Sequence, residues 1–150
     1  MLTNEIFAND GLAIDLGAYI NNTMGVTAND EDDPDAGSNN LQNYPVISSA
    51  TRSASTGTTT LTGTLNSNPS QNYTIQCSLT DAGGDPSGHG EGETLLDTAT
   101  TATDADGDSP AFTCTSDIPA ADDKVTMTAT NTATGDTSEF SRNVPVTAGP

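Results

Sequence analysis

Thr58-Thr-Thr-Leu-Thr-Gly-Thr-Leu-Asn66 is the stretch whose reading decides the fold. Leu61, Gly63 and Leu65 fall at every second position, with Thr60, Thr62 and Thr64 between them. A period of two is that of a β-strand, whose successive side chains point to opposite faces. Threonine suits the outward positions because its branched Cβ packs well on a pleated surface. No helical period competes.

The same pattern recurs on both sides. It predicts strands near 45–51, 58–66, 72–80, 93–101, 109–116, 123–131 and 137–146. Turn signals separate them, among them Asn66-Ser-Asn-Pro69, Asp81-Ala-Gly-Gly84, Asp104-Ala-Asp-Gly107 and Gly135-Asp136. Short strands at this spacing predict an all-β chain, a seven-stranded immunoglobulin-like antiparallel β-sandwich over residues 45–150. Tyr73, Ile75, Cys77 and Leu79 share one face. So do Phe112 and Cys114, and then Val125, Met127 and Ala129. Together with Leu61 and Leu65 these are the expected core. In an immunoglobulin-like topology the third and fifth strands lie in opposite sheets. Cys77 and Cys114 then both point inward and would bridge the sandwich, unless they remain two buried free thiols.

Two zones precede the sandwich. Residues 1–20 hold Ile6, Phe7, Leu12, Ile14 and Leu16 around Asn9-Asp10-Gly11, which predicts an extension of two short strands. A two-stranded apolar ribbon is marginal in water. These five side chains are expected to pack on the chain's own sandwich or on another subunit. The second route is strand addition to a neighbour's sheet edge, which propagates head to tail into a filament. Residues 21–44 read as a long loop. Within it, Asn29-Asp-Glu-Asp-Asp-Pro-Asp-Ala-Gly-Ser-Asn-Asn40 carries the carboxylates of Asp30, Glu31, Asp32, Asp33 and Asp35. Charges this dense are either solvated or gathered around a cation. Ca²⁺ is the natural candidate, since it takes six to eight oxygen ligands.

The net charge is −18, from 21 acidic residues against Arg52, Lys124 and Arg142. Such a chain repels nucleic-acid phosphates and anionic membrane surfaces. No apolar run is long enough for membrane insertion. Met1-Leu-Thr-Asn-Glu5 lacks the basic start and apolar core of a signal peptide, so a secreted form is expected to be a mature or excised fragment.

Several segments together resemble a junction in large bacterial surface proteins of the adhesin type. There a parallel β-helix ends and an immunoglobulin-like β-sandwich begins. The resemblance rests on Gly11-Leu-Ala-Ile-Asp-Leu-Gly17, Gly25-Val-Thr-Ala-Asn-Asp30 and Gly37-Ser-Asn-Asn-Leu-Gln-Asn-Tyr-Pro-Val-Ile47. Asp85-Pro-Ser-Gly-His-Gly-Glu-Gly-Glu93 and Thr137-Ser-Glu-Phe-Ser141 extend it. It implies an extracellular or cell-surface location, and its acidic loop matches here at Asp30, Asp33, Asp35 and Asn39. These four are the expected metal ligands.

A second acidic candidate is Asp104-Ala-Asp-Gly-Asp108, in which Asp104, Asp106 and Asp108 alternate as in calcium loops. Asp-Gly between strands is also a common hairpin turn. His89, the single histidine, has Ser87, Glu91 and Glu93 for neighbours. A flexible glycine-rich loop preorganises a nucleophile poorly, so no catalytic residue is expected. The absence of tryptophan argues against a strong sugar-binding face. The expected function is therefore a non-enzymatic, Ca²⁺-stabilised structural or adhesive module. Its expected partners are further copies of itself or other domains of a surface protein. The alternative is a carbohydrate- or ligand-binding accessory module of a secreted enzyme.

Overall fold

A computed structural model describes residues 1–17, 25–80 and 85–150. The expected turn at Asp81-Ala-Gly-Gly84 and the end of the N-terminal extension lie outside these residues. The chain is all-β, and two four-stranded sheets face one another. One has the order β5-β2-β1-β8, from Phe112–Ser116, Thr59–Thr64, Val46–Arg52 and Thr147–Ala148. The other has the order β4-β3-β6-β7, from Thr94–Ala102, Asn72–Leu79, Lys124–Asn131 and Val144–Pro145.

Between the sheets lie Leu61, Leu65, Tyr73, Ile75, Cys77, Phe112, Cys114, Val125, Met127 and Ala129, all buried as the alternation predicts. Leu79 is only half-buried. Cys77 on β3 and Cys114 on β5 form a disulfide across the sandwich, with Cα atoms 6.5 Å apart.

Among the described residues eight strands form, not seven, because the last expected strand is broken. Pro145 has no N–H to extend a ladder. The chain changes sheet at Val146, whose side chain is buried in the core. Val144–Pro145 pairs with β6, while Thr147–Ala148 runs parallel to β1. Further back, Ser138 and Ser141 offer their hydroxyls to β6 in place of strand carbonyls, while their own N–H groups donate to the Ala129 and Met127 carbonyls. Ala129 N–H is donated to Ser138 Oγ and Met127 N–H to Ser141 Oγ, each at 2.9 Å. The edge of β6 is thus closed by serine hydroxyls and backbone amides together.

The N-terminal segment is not the expected pair of strands. Within residues 1–17 there is a single bridge, Ile6 to Gly92. The segment lies over the outer face of β3 and β6, where Gln76, Ser78, Thr126 and Thr128 are buried although they point away from the core. Thr3 N–H is donated there to Gln76 Oε1 at 3.1 Å. Ile14 and Leu16 form a second apolar cluster with Leu41 and Phe140, and Ile6 packs beside it. Burying each such side chain contributes about 1.5–3 kcal/mol. Of the five residues expected to mediate self-association, Ile6, Ile14 and Leu16 therefore pack on their own chain. Leu12 is half-buried and Phe7 is 46% exposed.

Candidate metal site

Backbone hydrogen bonds alone do not hold the acidic loop. Side chains do. Asn29 and Tyr44 clasp reciprocally: Asn29 Nδ2 donates to the Tyr44 carbonyl at 2.8 Å and Tyr44 N–H to Asn29 Oδ1 at 2.9 Å. Asn43 does the same for Asp30, accepting its N–H at 3.1 Å and donating to its carbonyl at 2.6 Å. Asn68 Nδ2 donates to the carbonyls of Asp32 and Asp33 at 3.1 and 2.6 Å. These donors compensate the strain at Asp32 and Asp33, which have φ of 62° and 54°.

The result brings Asp30, Asp33 and Asp35 together. One oxygen of each lies within 4.8 Å of the others, and this is the one such acidic group among the described residues. A cluster of this kind could hold a metal ion. Asp33 is the pivot and is 4% exposed. Its Oδ2 accepts three uncharged donors: Ser67 Oγ at 2.5 Å, Gln42 Nε2 at 3.0 Å and Asn43 N–H at 3.1 Å. Ser67 in turn receives the Tyr73 hydroxyl at 2.9 Å, which ties the site to the sandwich core. Its Oδ1 is buried and has no donor, and the same holds for Oδ1 of Asp30 and of Asp35. One oxygen fixed by the protein and the other left bare is how a carboxylate is prepared for a cation.

The electrostatics agree. Burial pushes the Asp33 carboxyl above its usual range, and Asp35 and Asp30 push it further, against the pull of the Ser67 and Asn43 hydrogen bonds. Burial raises Asp35 as well, with Asp30 adding to it. Close carboxylates in a poorly solvated site resist joint ionisation unless a cation joins them.

The other expected ligands are placed elsewhere. Asn39 Oδ1 accepts Thr137 N–H at 2.9 Å. Asp104, Asp106 and Asp108 do not converge. Asp104 Oδ1 accepts the N–H groups of Asp106 and Asp108 at 2.9 and 3.0 Å, so this loop is a side-chain-stabilised turn. It nevertheless abuts the acidic loop. Asn66 receives Asp32 N–H on Oδ1 and donates Nδ2 to Asp108 Oδ1 at 3.0 Å. A Cβ at Gly107, where φ is +76°, would lie 2.6 Å from Asp32 Oδ1, an oxygen that also lacks a donor.

Sequence reasoning missed the supporting residues Gln42, Asn43, Asn66 and Ser67. A run of amide side chains directly after an acidic loop was the available signal. It missed two buried glutamates as well. Glu91 accepts Ala8 N–H at 2.7 Å and Asn9 N–H at 3.0 Å. Glu139 accepts Leu16 N–H at 2.9 Å and Thr27 N–H at 2.8 Å. Each is 2% exposed, and together they fasten the N-terminal segment to the sandwich. His89 packs edge-on against Tyr44, and its Nδ1 lies 3.0 Å from the Phe140 carbonyl. Among the described residues no helix is long and apolar enough to cross a membrane. Comparisons with protein-family models, with curated proteins and with solved structures find no match for this chain.

Proposed function

We propose that this chain is a non-enzymatic structural or adhesive module of the cell exterior, immunoglobulin-like in arrangement, whose acidic loop binds Ca²⁺. The observation that carries the reading is the convergence of Asp30, Asp33 and Asp35 with three buried oxygens that have no donor. The ligand set is all oxygen, which suits a hard cation, and Ca²⁺ tolerates the irregular geometry of a loop better than Mg²⁺ does. The ion would be held by these three carboxylates, with solvent or further oxygens completing its shell. Its role is to neutralise the loop and fix it against the sandwich. An inter-sheet disulfide fits an oxidising compartment, and a net charge of −18 suits a calcium-rich or saline one.

Calorimetric melting of the native chain in EDTA and in millimolar Ca²⁺ tests the proposal. At a free concentration a hundred times the Kd, the cation adds about 2.7 kcal/mol. For a domain of this size that corresponds to a rise of roughly 5–10 °C. Asp33→Asn abolishes the response. Equal melting temperatures with and without Ca²⁺ would overturn the reading.

Partners of such a module are neighbouring domains or further copies. Met1, Leu2 and Phe7, at 53%, 45% and 46% exposure, are the apolar side chains such a contact would cover. Light scattering at high concentration, with Phe7→Ser as control, measures it, and a monomer unaffected by the substitution removes the self-assembling form.

A further inference from the structure

We infer that cation occupancy at Asp30, Asp33 and Asp35 is coupled to docking of residues 1–17, so that the cation works as a latch for that segment. This rests on the reading of the cluster as a cation site.

Three physical connections run from the cluster to the segment. The first passes through Asp33, whose Oδ2 is held by Gln42 and Asn43. The adjoining residue, Leu41, is the one that packs on Ile14, Leu16 and Phe140. The second passes through Tyr44, which clasps Asn29 and packs on His89. His89 contacts the Phe140 carbonyl, and Phe140 is the floor of the same apolar cluster. The third is Glu139, whose single carboxylate accepts N–H groups from Leu16 in the segment and from Thr27 at the foot of the acidic loop.

A loop without its cation relieves carboxylate repulsion by spreading. Spreading displaces residues 27–30 on one side and 41–43 on the other. On the second side Leu41 packs directly on the segment, and on the first Thr27 shares the Glu139 carboxylate with Leu16. The segment is the part of the chain most able to respond. It has no strand of its own, and apart from the Ile6–Gly92 bridge and the packing of Ile6, Ile14 and Leu16 it is fastened by a few side-chain acceptors. Local openings are drawn from such weakly tied elements. Coupling of this kind is reciprocal: whatever loosens the segment weakens the cation by the same factor.

Hydrogen exchange on the full chain in EDTA and in millimolar Ca²⁺ tests the latch. The reporters are the amides of Ala8, Asn9 and Leu16, which bond to the two glutamates, against Ile75 and Cys77 inside β3. EDTA should speed exchange at the three segment amides by about fivefold or more, with β3 unchanged. In the reciprocal arm, Glu91→Gln and Ile14→Ser should weaken Ca²⁺ affinity by a similar factor in isothermal titration, in proteins whose far-ultraviolet spectrum is native. If the native chain binds Ca²⁺ but segment exchange is unchanged and both variants bind as tightly, the latch is wrong and the cation site stands. If EDTA speeds β3 equally, the cation stabilises the whole sandwich and the latch is also wrong. If the native chain binds no Ca²⁺, both readings fall together.

Discussion

Leu16 donates its backbone N–H to the Glu139 carboxylate at 2.9 Å, across 123 residues of sequence, with both residues buried. A charge-assisted bond of this kind is stronger than a neutral one. Here it also answers an amide that the irregular N-terminal segment could not satisfy in a ladder.

Replacing Glu139 by alanine removes the acceptor and leaves the N–H groups of Leu16 and Thr27 without it. The expected loss is about 1–3 kcal/mol for the buried Leu16 N–H, with less from the part-buried Thr27 N–H. Urea unfolding with an unchanged m-value measures it. Glutamine keeps one acceptor oxygen and should cost less. A Glu139→Ala protein as stable as the native chain would show that the clasp contributes nothing.

The pH dependence follows from the raised carboxyls of Asp33, Asp35 and Glu139. Burial is the leading cause for all three. A raised folded-state pKa means that the native protein binds the proton more tightly than the unfolded chain does. The contribution is therefore complete below the ordinary values of 3.8 for aspartate and 4.5 for glutamate, and is lost as pH rises through the raised ones. In EDTA the melting temperature should fall as pH rises from about 4 towards 7. Millimolar Ca²⁺ should reverse the fall at the upper end, because the cation binds the deprotonated form. An Asp33→Asn protein should show a shallower fall and no Ca²⁺ rescue.

Gly92 and Phe140 are a matched pair. A Cβ at Gly92 would lie 2.8 Å from the Phe140 ring, and one at Gly90 would lie 2.8 Å from its Cβ. Gly92→Ala should cost about 1–3 kcal/mol by overpacking. Phe140→Ala should cost about 3–5 kcal/mol by leaving a cavity. The double variant should cost less than the sum, which a double-mutant cycle reads directly. Simple additivity would mean that the ring does not dictate the glycine.

The Cys77–Cys114 bridge closes a separation of 37 residues. On the chain-entropy model it contributes about 3–4 kcal/mol. Mass spectrometry of an unreduced digest should yield one cross-linked peptide pair. The doubly alanine-substituted chain should melt lower by roughly 6–16 °C. Two alkylatable thiols in native protein would contradict the bridge.

Alternation made the sandwich legible, because a period of two survives wherever one face is buried. It worked for Leu61, Ile75 and Met127, and it set the parity that joined the cysteines. It failed at Thr137–Ser141, where the hydroxyls of Ser138 and Ser141 imitate strand partners without making a strand. It failed as well for the outward side chains of β6. Thr128 is covered by a segment more than a hundred residues away, and local pattern carries no trace of that, while Thr126 is bonded to Ser141. The acidic cluster was visible as density, and three of its four expected ligands converge. Asn39 is not among them, since its oxygen is taken by Thr137. The glutamates of the clasp were hidden, because a buried charge looks like a solvated one until its acceptor geometry is known.

The Tyr73–Ser67–Asp33 chain of hydrogen bonds has a practical side. The protein contains three tyrosines and no tryptophan, so tyrosine dominates its near-ultraviolet signal over the three phenylalanines and the disulfide. Tyr73 is fully buried, its hydroxyl one serine away from the carboxylate at the centre of the cluster. Tyr44 clasps the other side of the same loop. The chain thus carries a built-in optical gauge. A luminescent lanthanide in the acidic loop would draw its excitation from these phenol rings, and the loop's filling can be followed by light without attaching a dye.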